Sequence, residues 1–251
     1  MIIKHCIKKG IYLFIISIIF FGLFLSPNSA GAEEEKSWSR GLALGINMNR
    51  GNTDSSLVTM NLLAEKQRGE IKVWRLGIDG SYGKTNEEKT AENALAFLEY
   101  RRAVTDNLYW SATGSTFVDT VAKVDYRLVI GPAAGFFLFK DIQSQLSFEI
   151  GPTYTREKIE NEPVENYASA RVAERYDRVL SKTAKVWQSM EYLPDLRDGH
   201  NFLFNAELGA EAALNSSLSL RITARNKYDN EPADNKEEND FSLISSLNYK
   251  F

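Results

Sequence analysis

Phe241-Ser242-Leu243-Ile244-Ser245-Ser246-Leu247-Asn248-Tyr249-Lys250-Phe251 is the stretch that decides the fold. Phe241, Leu243, Leu247, Tyr249 and Phe251 share one alternating row, and that row ends on two aromatics two residues apart. Side chains at alternate strand positions point to one face, so this strand has one apolar face and one polar face. In a membrane barrel the apolar face meets lipid, and aromatics gather where the apolar band reaches the headgroups. The segment therefore predicts the closing strand of an outer-membrane barrel.

The beginning of the sequence carries a matching address. Lys4, Lys8 and Lys9 form a basic segment, residues 11 to 25 are almost wholly apolar, and Ala30-Gly31-Ala32 has the small-x-small form of a cleavage site. Residues 1–32 are read as a cleaved secretory signal peptide and 33–251 as the barrel domain. An uncleaved anchor helix is the competing reading, but the apolar run is shorter than the roughly 20 residues a spanning helix needs. Cys6, the one cysteine, lies ahead of the apolar stretch and leaves with the leader, so neither disulfide nor thiol chemistry is expected afterwards. Losing three lysines takes the formal net charge from −3 to about −6, which argues against nucleic acid as a partner. No Ser/Gly-rich linker or long like-charge block divides the rest, so one domain is expected.

Outward from the last strand, the two-residue period persists along the chain. Leu42, Leu44, Ile46 and Met48 alternate with Ala43, Gly45, Asn47 and Asn49, while Trp74, Leu76, Ile78 and Tyr82 alternate with Arg75, Gly77, Asp79 and Ser81. The period predicts twelve strand cores: 41–49, 57–66, 73–83, 93–102, 109–117, 126–139, 146–156, 169–179, 186–193, 202–212, 218–228 and 241–251. Most reach the roughly 9 to 11 residues a tilted membrane strand needs. Glu174 and Gln188 fall on the lipid-facing row, which requires either a bulge in that part of the sheet or a position near a membrane interface.

The connections alternate as well. Short turns are expected near 67–70, 105–107, 141–145, 181–184 and 215–217, and longer loops rich in Asn, Glu, Asp and Pro near 85–92, 118–125, 159–167, 194–201 and 229–240. Short turns mark the periplasmic end of such barrels and long loops the outer end, which puts both termini in the periplasm. Only 51–55 breaks the alternation, being brief on the long-loop side.

A soluble secreted β-sandwich or lipocalin-like barrel shows the same alternation. Two features separate it from the membrane reading. About eight strands is the size that packs solid with inward apolar side chains, and twelve is too wide. The rows opposite the apolar ones combine mid-strand glycine with charge, as at Gly131 and Gly135 near Arg127, or Gly209 between Glu207 and Glu211. Such rows suit water or a salt-bridged lumen. The sequence thus predicts an all-β, twelve-stranded antiparallel transmembrane outer-membrane β-barrel.

Several short motifs occur in a characteristic order: Gly51-Asn52-Thr53, Asp125-Tyr126-Arg127 leading to Gly131 and Gly135, Glu191-Tyr192-Leu193-Pro194, Tyr228-Asp229-Asn230-Glu231-Pro232, and Tyr249-Lys250-Phe251. With these the chain resembles, over nearly all of 33–251, domain-of-unknown-function family 481, whose members carry the label of salt-induced outer membrane proteins. Ala133-Ala134 departs from the more glycine-rich stretch expected there. The resemblance implies a barrel of this size in the outer membrane of a Gram-negative bacterium. It implies no activity.

The residues offer little catalytic chemistry. His200 is the one histidine left after cleavage, and it follows Asp195, Arg197 and Asp198 in an expected outer loop. An Asp/His rim site is the enzymatic reading; a lone histidine in a polar loop is ordinarily a solvated surface residue, so no enzyme is expected. With one histidine, no remaining cysteine, no loop of EF-hand spacing and no glycine-rich phosphate loop, neither metal nor cofactor is expected. Asp229, Glu231, Asp234, Glu237, Glu238 and Asp240 crowd the last loop and read as a solvated acidic segment. They could bridge weakly through divalent ions to lipopolysaccharide.

The candidate lumen-lining row is the most informative set: Arg75, Asp79, Glu99, Arg101, Arg127, Glu149, Arg171, Arg175, Glu191, Glu207, Arg221 and Arg225, with Asp177, Glu211 and Lys227 in the same pattern. Unpaired burial would cost several kcal/mol per ion. The charges must therefore pair across the lumen or line a water-filled path. Three functions are carried forward: a narrow pore or nearly closed barrel serving envelope integrity under salt or osmotic stress, a surface-binding module using the acidic outer loops, and a rim enzyme using His200. The expected partners are outer-membrane lipid, lipopolysaccharide and, during insertion, the outer-membrane assembly machinery.

Overall fold

The computed structural model describes residues 38–50, 54–68 and 72–251. The expected leader and Gly51-Asn52-Thr53 lie outside them. Among the described residues twelve antiparallel strands form one closed sheet: β1 Ser39–Asn49, β2 Ser55–Arg68, β3 Lys72–Thr85, β4 Glu88–Ala103, β5 Leu108–Asp119, β6 Val124–Lys140, β7 Ser144–Ile159, β8 Val164–Val179, β9 Ala184–Pro194, β10 Phe202–Ala213, β11 Leu218–Asp229 and β12 Asn239–Lys250. Each pairs with its sequence neighbours, and β1 closes on β12 from Gly41 opposite Lys250 to Leu44 opposite Leu247. Closure leaves no sheet edge, which a lipid-embedded sheet requires because nothing in hydrocarbon can bond a free N–H or C=O. Every predicted core corresponds to a strand, and only Phe251 falls beyond its element.

Alternation decides which side chains see lipid. Leu44, Ile46, Leu98, Ile130, Ile150, Val172, Leu208, Ile222 and Leu243 are exposed on the outer face. Aromatic belts bound this band at both ends. At the end holding the chain termini, Tyr100 lies between Trp74 and Trp110, tilted to the first at 4.4 Å between centroids and edge-on to the second at 5.1 Å, and Phe136 stacks on Phe148 at 5.5 Å. At the opposite end, the loop end, Phe202 stacks on Tyr228 at 5.5 Å and meets Tyr192 in a tilted contact at 5.3 Å. Along β3 the belt residues Trp74 and Tyr82 are eight residues apart, about 20 Å along the axis at a typical tilt, close to the height of the apolar band of such barrels. Among the described residues no helix is long and apolar enough to cross a membrane.

Glu174 and Gln188 need no bulge. The β7–β8 and β8–β9 registers run unbroken through them, with Glu174 opposite Phe148 and Gln188 opposite Tyr176. They therefore lie at the level of the belt nearer the termini, and the Gln188 amide donates to Glu174 at 3.3 Å.

The expected loop lengths need correction. The turns at the terminal end are short, as predicted, but three of the five expected long loops are largely strand: β3 and β4 are joined by Asn86 and Glu87 alone, β5 and β6 by 120–123, and β7 and β8 by 160–163. Asn86 and Glu87 both have positive φ, 49° and 68°, the backbone of a two-residue hairpin turn whose twist matches that of the strands. These polar segments extend the ladder beyond the apolar band as water-facing ribbon. Only 195–201 and 230–238 remain long.

Mid-strand glycines make room for lumen aromatics. A Cβ on Gly209 would lie 2.0 Å from Trp187 Cζ2, and one on Gly135 2.2 Å from the ring of Tyr109. Each ring therefore lies flat against the neighbouring strand instead of filling the bore.

Candidate functional site

The inward rows enclose a cavity of about 580 Å³. All twelve candidate residues line it: Arg75, Asp79, Glu99, Arg101, Arg127, Glu149, Arg171, Arg175, Glu191, Glu207, Arg221 and Arg225. Strand alternation puts them on one face, and the closed sheet turns that face inward.

They are not distributed as free charges. One continuous chain of alternating sign runs Glu65, Arg75, Glu99, Arg101, Glu149, Arg171, Glu191, with successive contacts of 3.4, 3.0, 2.9, 3.2, 2.6 and 2.6 Å. Its Arg101–Glu149 link crosses from β4 to β7 through the lumen. A second group joins Asp79 on β3 to Arg225 on β11 at 3.1 Å, then Arg225 to Glu207 at 2.7 Å, with Trp187 Nε1 donating to Glu207 at 2.6 Å. Arg221 pairs with Glu211 at 2.7 Å and lies over the Trp187 ring. Arg175 bonds Asp177 on its own strand through two nitrogens. Each of the twelve candidate side chains thus makes at least one ion pair, most of them between neighbouring strands, while the set still lines the cavity.

A third cluster sits at the loop end. Arg127 Nε donates to Glu157 at 2.5 Å and its Nη2 to Asp229 at 2.7 Å, while Tyr167 donates to Glu157 at 2.8 Å. Glu157 and Tyr167 escaped the sequence reading although they extend the inward rows of β7 and β8. The sequence pattern places Asp229 in the solvated acidic loop. It instead ends β11 on the inward row of Arg221, Arg225 and Lys227, facing Arg127. The rest of that loop is not simply solvated either: Ala233 is 4 % exposed, and Pro232, Ala233, Lys236 and Glu237 line the same cavity as the lumen residues.

Residues 195–201 form a tied loop. Asp195 is buried and accepts from Arg197 Nη2 at 2.8 Å and from the Arg197 backbone N–H at 2.8 Å. Burial pushes the Asp195 carboxyl up, but the Arg197 bonds outweigh it and hold the group below the usual aspartate value. His200 is exposed, and among the described residues its ring makes no hydrogen bond or ion pair; its backbone N–H donates to Asp198. Asp195 is thus committed to Arg197 rather than oriented on an imidazole. Among the described residues no three His, Cys, Asp or Glu side chains converge as a metal-binding group.

Residues 42–251 match the family described as protein of unknown function, DUF481. The chain belongs to the DUF481 family. No curated protein matches it. Among solved structures this DUF481 barrel is similar to the NanC porin, with 6% identity, 86% of this chain and 100% of that chain covered, and a TM-score of 0.54. It is also similar to the translocator domain of the autotransporter NalP from Neisseria meningitidis, with 14% identity, coverage of 98% and 96%, and a TM-score of 0.51. An outer membrane channel from Pseudomonas putida F1 matches at 10% identity, 90% and 100% coverage, and a TM-score of 0.49. At these identities the likeness concerns fold alone, and the first two matches support a porin-like barrel fold of the outer-membrane class.

Proposed function

We propose that the protein is a narrow, nearly closed porin-like barrel of the bacterial outer membrane that contributes to envelope integrity, with its termini in the periplasm and its loop end outward. One observation carries this reading: the lumen charges are paired, mostly between neighbouring strands, and the wall networks are joined across the bore by Arg101–Glu149 and Arg225–Asp79. Such pairs brace a barrel too wide to pack solid with apolar side chains, and any solute path must run between them. The salt or osmotic stress element rests on the family resemblance. Export through a cleaved leader, insertion by the outer-membrane assembly machinery, and contact with lipid and lipopolysaccharide belong to the same reading. No catalytic role is assigned to His200.

The test is planar-bilayer conductance of the protein from Glu33 onward, beside a variant with Arg127, Arg171 and Arg225 neutralised. The expected result is a low wild-type conductance that rises in the variant, with a shift toward cations. A large, steady wild-type conductance unaffected by the triple change would refute the paired-lumen reading. His200→Ala is expected to leave every phenotype intact, and loss of adhesion on shortening 230–238 would favour the surface-binding alternative.

A further inference from the structure

Three contacts at the loop end join the same two hairpins. From the β11–β12 hairpin, Lys227 reaches across to lie 4.2 Å over the ring of Phe117 on β5. Asp229 accepts from Arg127 on β6 at 2.7 Å. The backbone carbonyl of Asp234, in the loop itself, accepts from Lys123 in the β5–β6 turn at 3.0 Å. In the closed strand order β11 and β5 stand six strands apart, on opposite walls. The loop 230–238 therefore spans the mouth rather than standing beside it.

Its underside fits what it covers. Inward-facing Val124 and Ile159 are cross-strand neighbours, as are Leu193 and Leu203, and all four are buried near the loop end of the lumen. Ala233 is buried and lines the same cavity. Val124, Ile159, Leu193 and Leu203 form an apolar collar at the rim of a polar bore, and a small buried apolar residue on a covering loop suits such a rim. The root of the loop is held as well: the Asn230 amide donates to the backbone carbonyl of His200 at 2.6 Å and its backbone N–H to Phe202 at 3.1 Å. The tip is held by the burial of Ala233 and by the Asp234–Lys123 contact, and the base of the loop is drawn over the mouth by the Arg127–Asp229 pair, so that loss of that pair frees the loop to lift.

We propose that residues 230–238 are a lid over the outer mouth, held shut by a latch between the β11–β12 and β5–β6 hairpins in which Arg127 and Asp229 are the central pair. Lifting the tip withdraws Ala233 from the collar and opens the lumen to the outer side. The proposal goes beyond the narrow-barrel reading, since it concerns access to the lumen whether or not the whole bore conducts.

A single reporter cysteine at Val129→Cys, lining the lumen on β6 just inward of Arg127, tests it. Barrels refolded into lipid vesicles are exposed, on the loop side, to a membrane-impermeant thiosulfonate, and the labelling rate is compared for the native lid, for Asp229→Asn, and for a lid with 231–237 replaced by two glycines. Slow labelling is expected with the native lid and fast labelling with the shortened one. Asp229→Asn is expected to speed labelling by about ten- to a hundredfold, the shift in an opening equilibrium that follows loss of one charge-assisted hydrogen bond. Equal rates for native and shortened lids would show that the loop does not cover the lumen and would overturn the proposal. A fast shortened lid with an unchanged Asp229→Asn rate would overturn the latch. Far-ultraviolet circular dichroism and heat-modifiable gel mobility confirm that each variant has folded. Bilayer currents on the same proteins separate the two readings: fast labelling without current sustains the lid and rejects the pore.

Discussion

Glu149→Gln isolates what the lumen ion pairs contribute. Glu149 is 7% exposed and bridges two guanidinium groups, accepting from Arg101 at 3.2 Å and Arg171 at 2.6 Å. Each arginine keeps a second carboxylate, Glu99 at 2.9 Å and Glu191 at 2.6 Å, so neither is stranded. The amide retains a single carbonyl acceptor and turns an NH₂ toward one of the cations. One to two charge-assisted bonds at about 1.5 to 3 kcal/mol each are therefore lost, and the unfolding free energy should fall by about 2 to 4 kcal/mol. Leaving a buried ion wholly without a partner would cost about 3 to 5 kcal/mol, which the remaining carboxylates prevent. The assay is equilibrium unfolding in urea from lipid vesicles, followed by tryptophan fluorescence, with the exposed Glu231→Gln as a control expected to change little. A loss below about 0.5 kcal/mol for Glu149→Gln would refute the reasoning, because it would mean that water already carries the charges and the pairs do not brace the barrel.

Three further outcomes follow from particular contacts. Gly209→Ala should lower the unfolding free energy by about 1 to 3 kcal/mol and shift the emission of a protein retaining only Trp187, since the new Cβ would meet a ring held by Glu207; unchanged emission and midpoint would contradict the packing. Glu87→Gly should stabilise the barrel by about 0.5 to 1 kcal/mol in the same urea assay, because Glu87 sits at φ 68° where a side chain is disfavoured. The depressed Asp195 carboxyl sets a pH dependence for residues 195–201: its stabilisation is complete above the ordinary aspartate value of about 3.9 and is lost as pH falls through the lower folded value. Hydrogen exchange of these residues, extrapolated for intrinsic rates, should rise only below that range, and Asp195→Asn should abolish the dependence.

The strand count and the face of each candidate lumen residue were legible because a two-residue period carries that information directly, and the neighbour order because short connections join consecutive strands. Loop lengths were not, since a polar strand that has left the apolar band looks like a loop: Glu88-Lys89-Thr90 and Val164-Glu165-Asn166 carry loop composition yet continue the ladder. Asp229 was misplaced for the same reason. Its acidic neighbours suggested solvent, while its step of two from Lys227 put it in the lumen. Continuing each inward row to its end would also have found Glu157 and Tyr167.

Pairing across the bore needs a quantity that alternation does not contain. The period tells that Arg225 and Asp79 both point inward, but whether they meet depends on the stagger accumulated around the ring, strand by strand. Arg225 is level with Glu207 on β10, and three intervening strands bring it to Asp79 on β3. A change of stagger by two residues would leave every inward row intact and still separate Arg101 from Glu149 and Arg127 from Asp229. The lumen would then hold the same charges without the braces. Whether the cross-bore braces form therefore resides in the strand-to-strand registers as much as in the identity of the charged residues, and for Arg225 and Asp79 the closure of β1 on β12 is one of those registers.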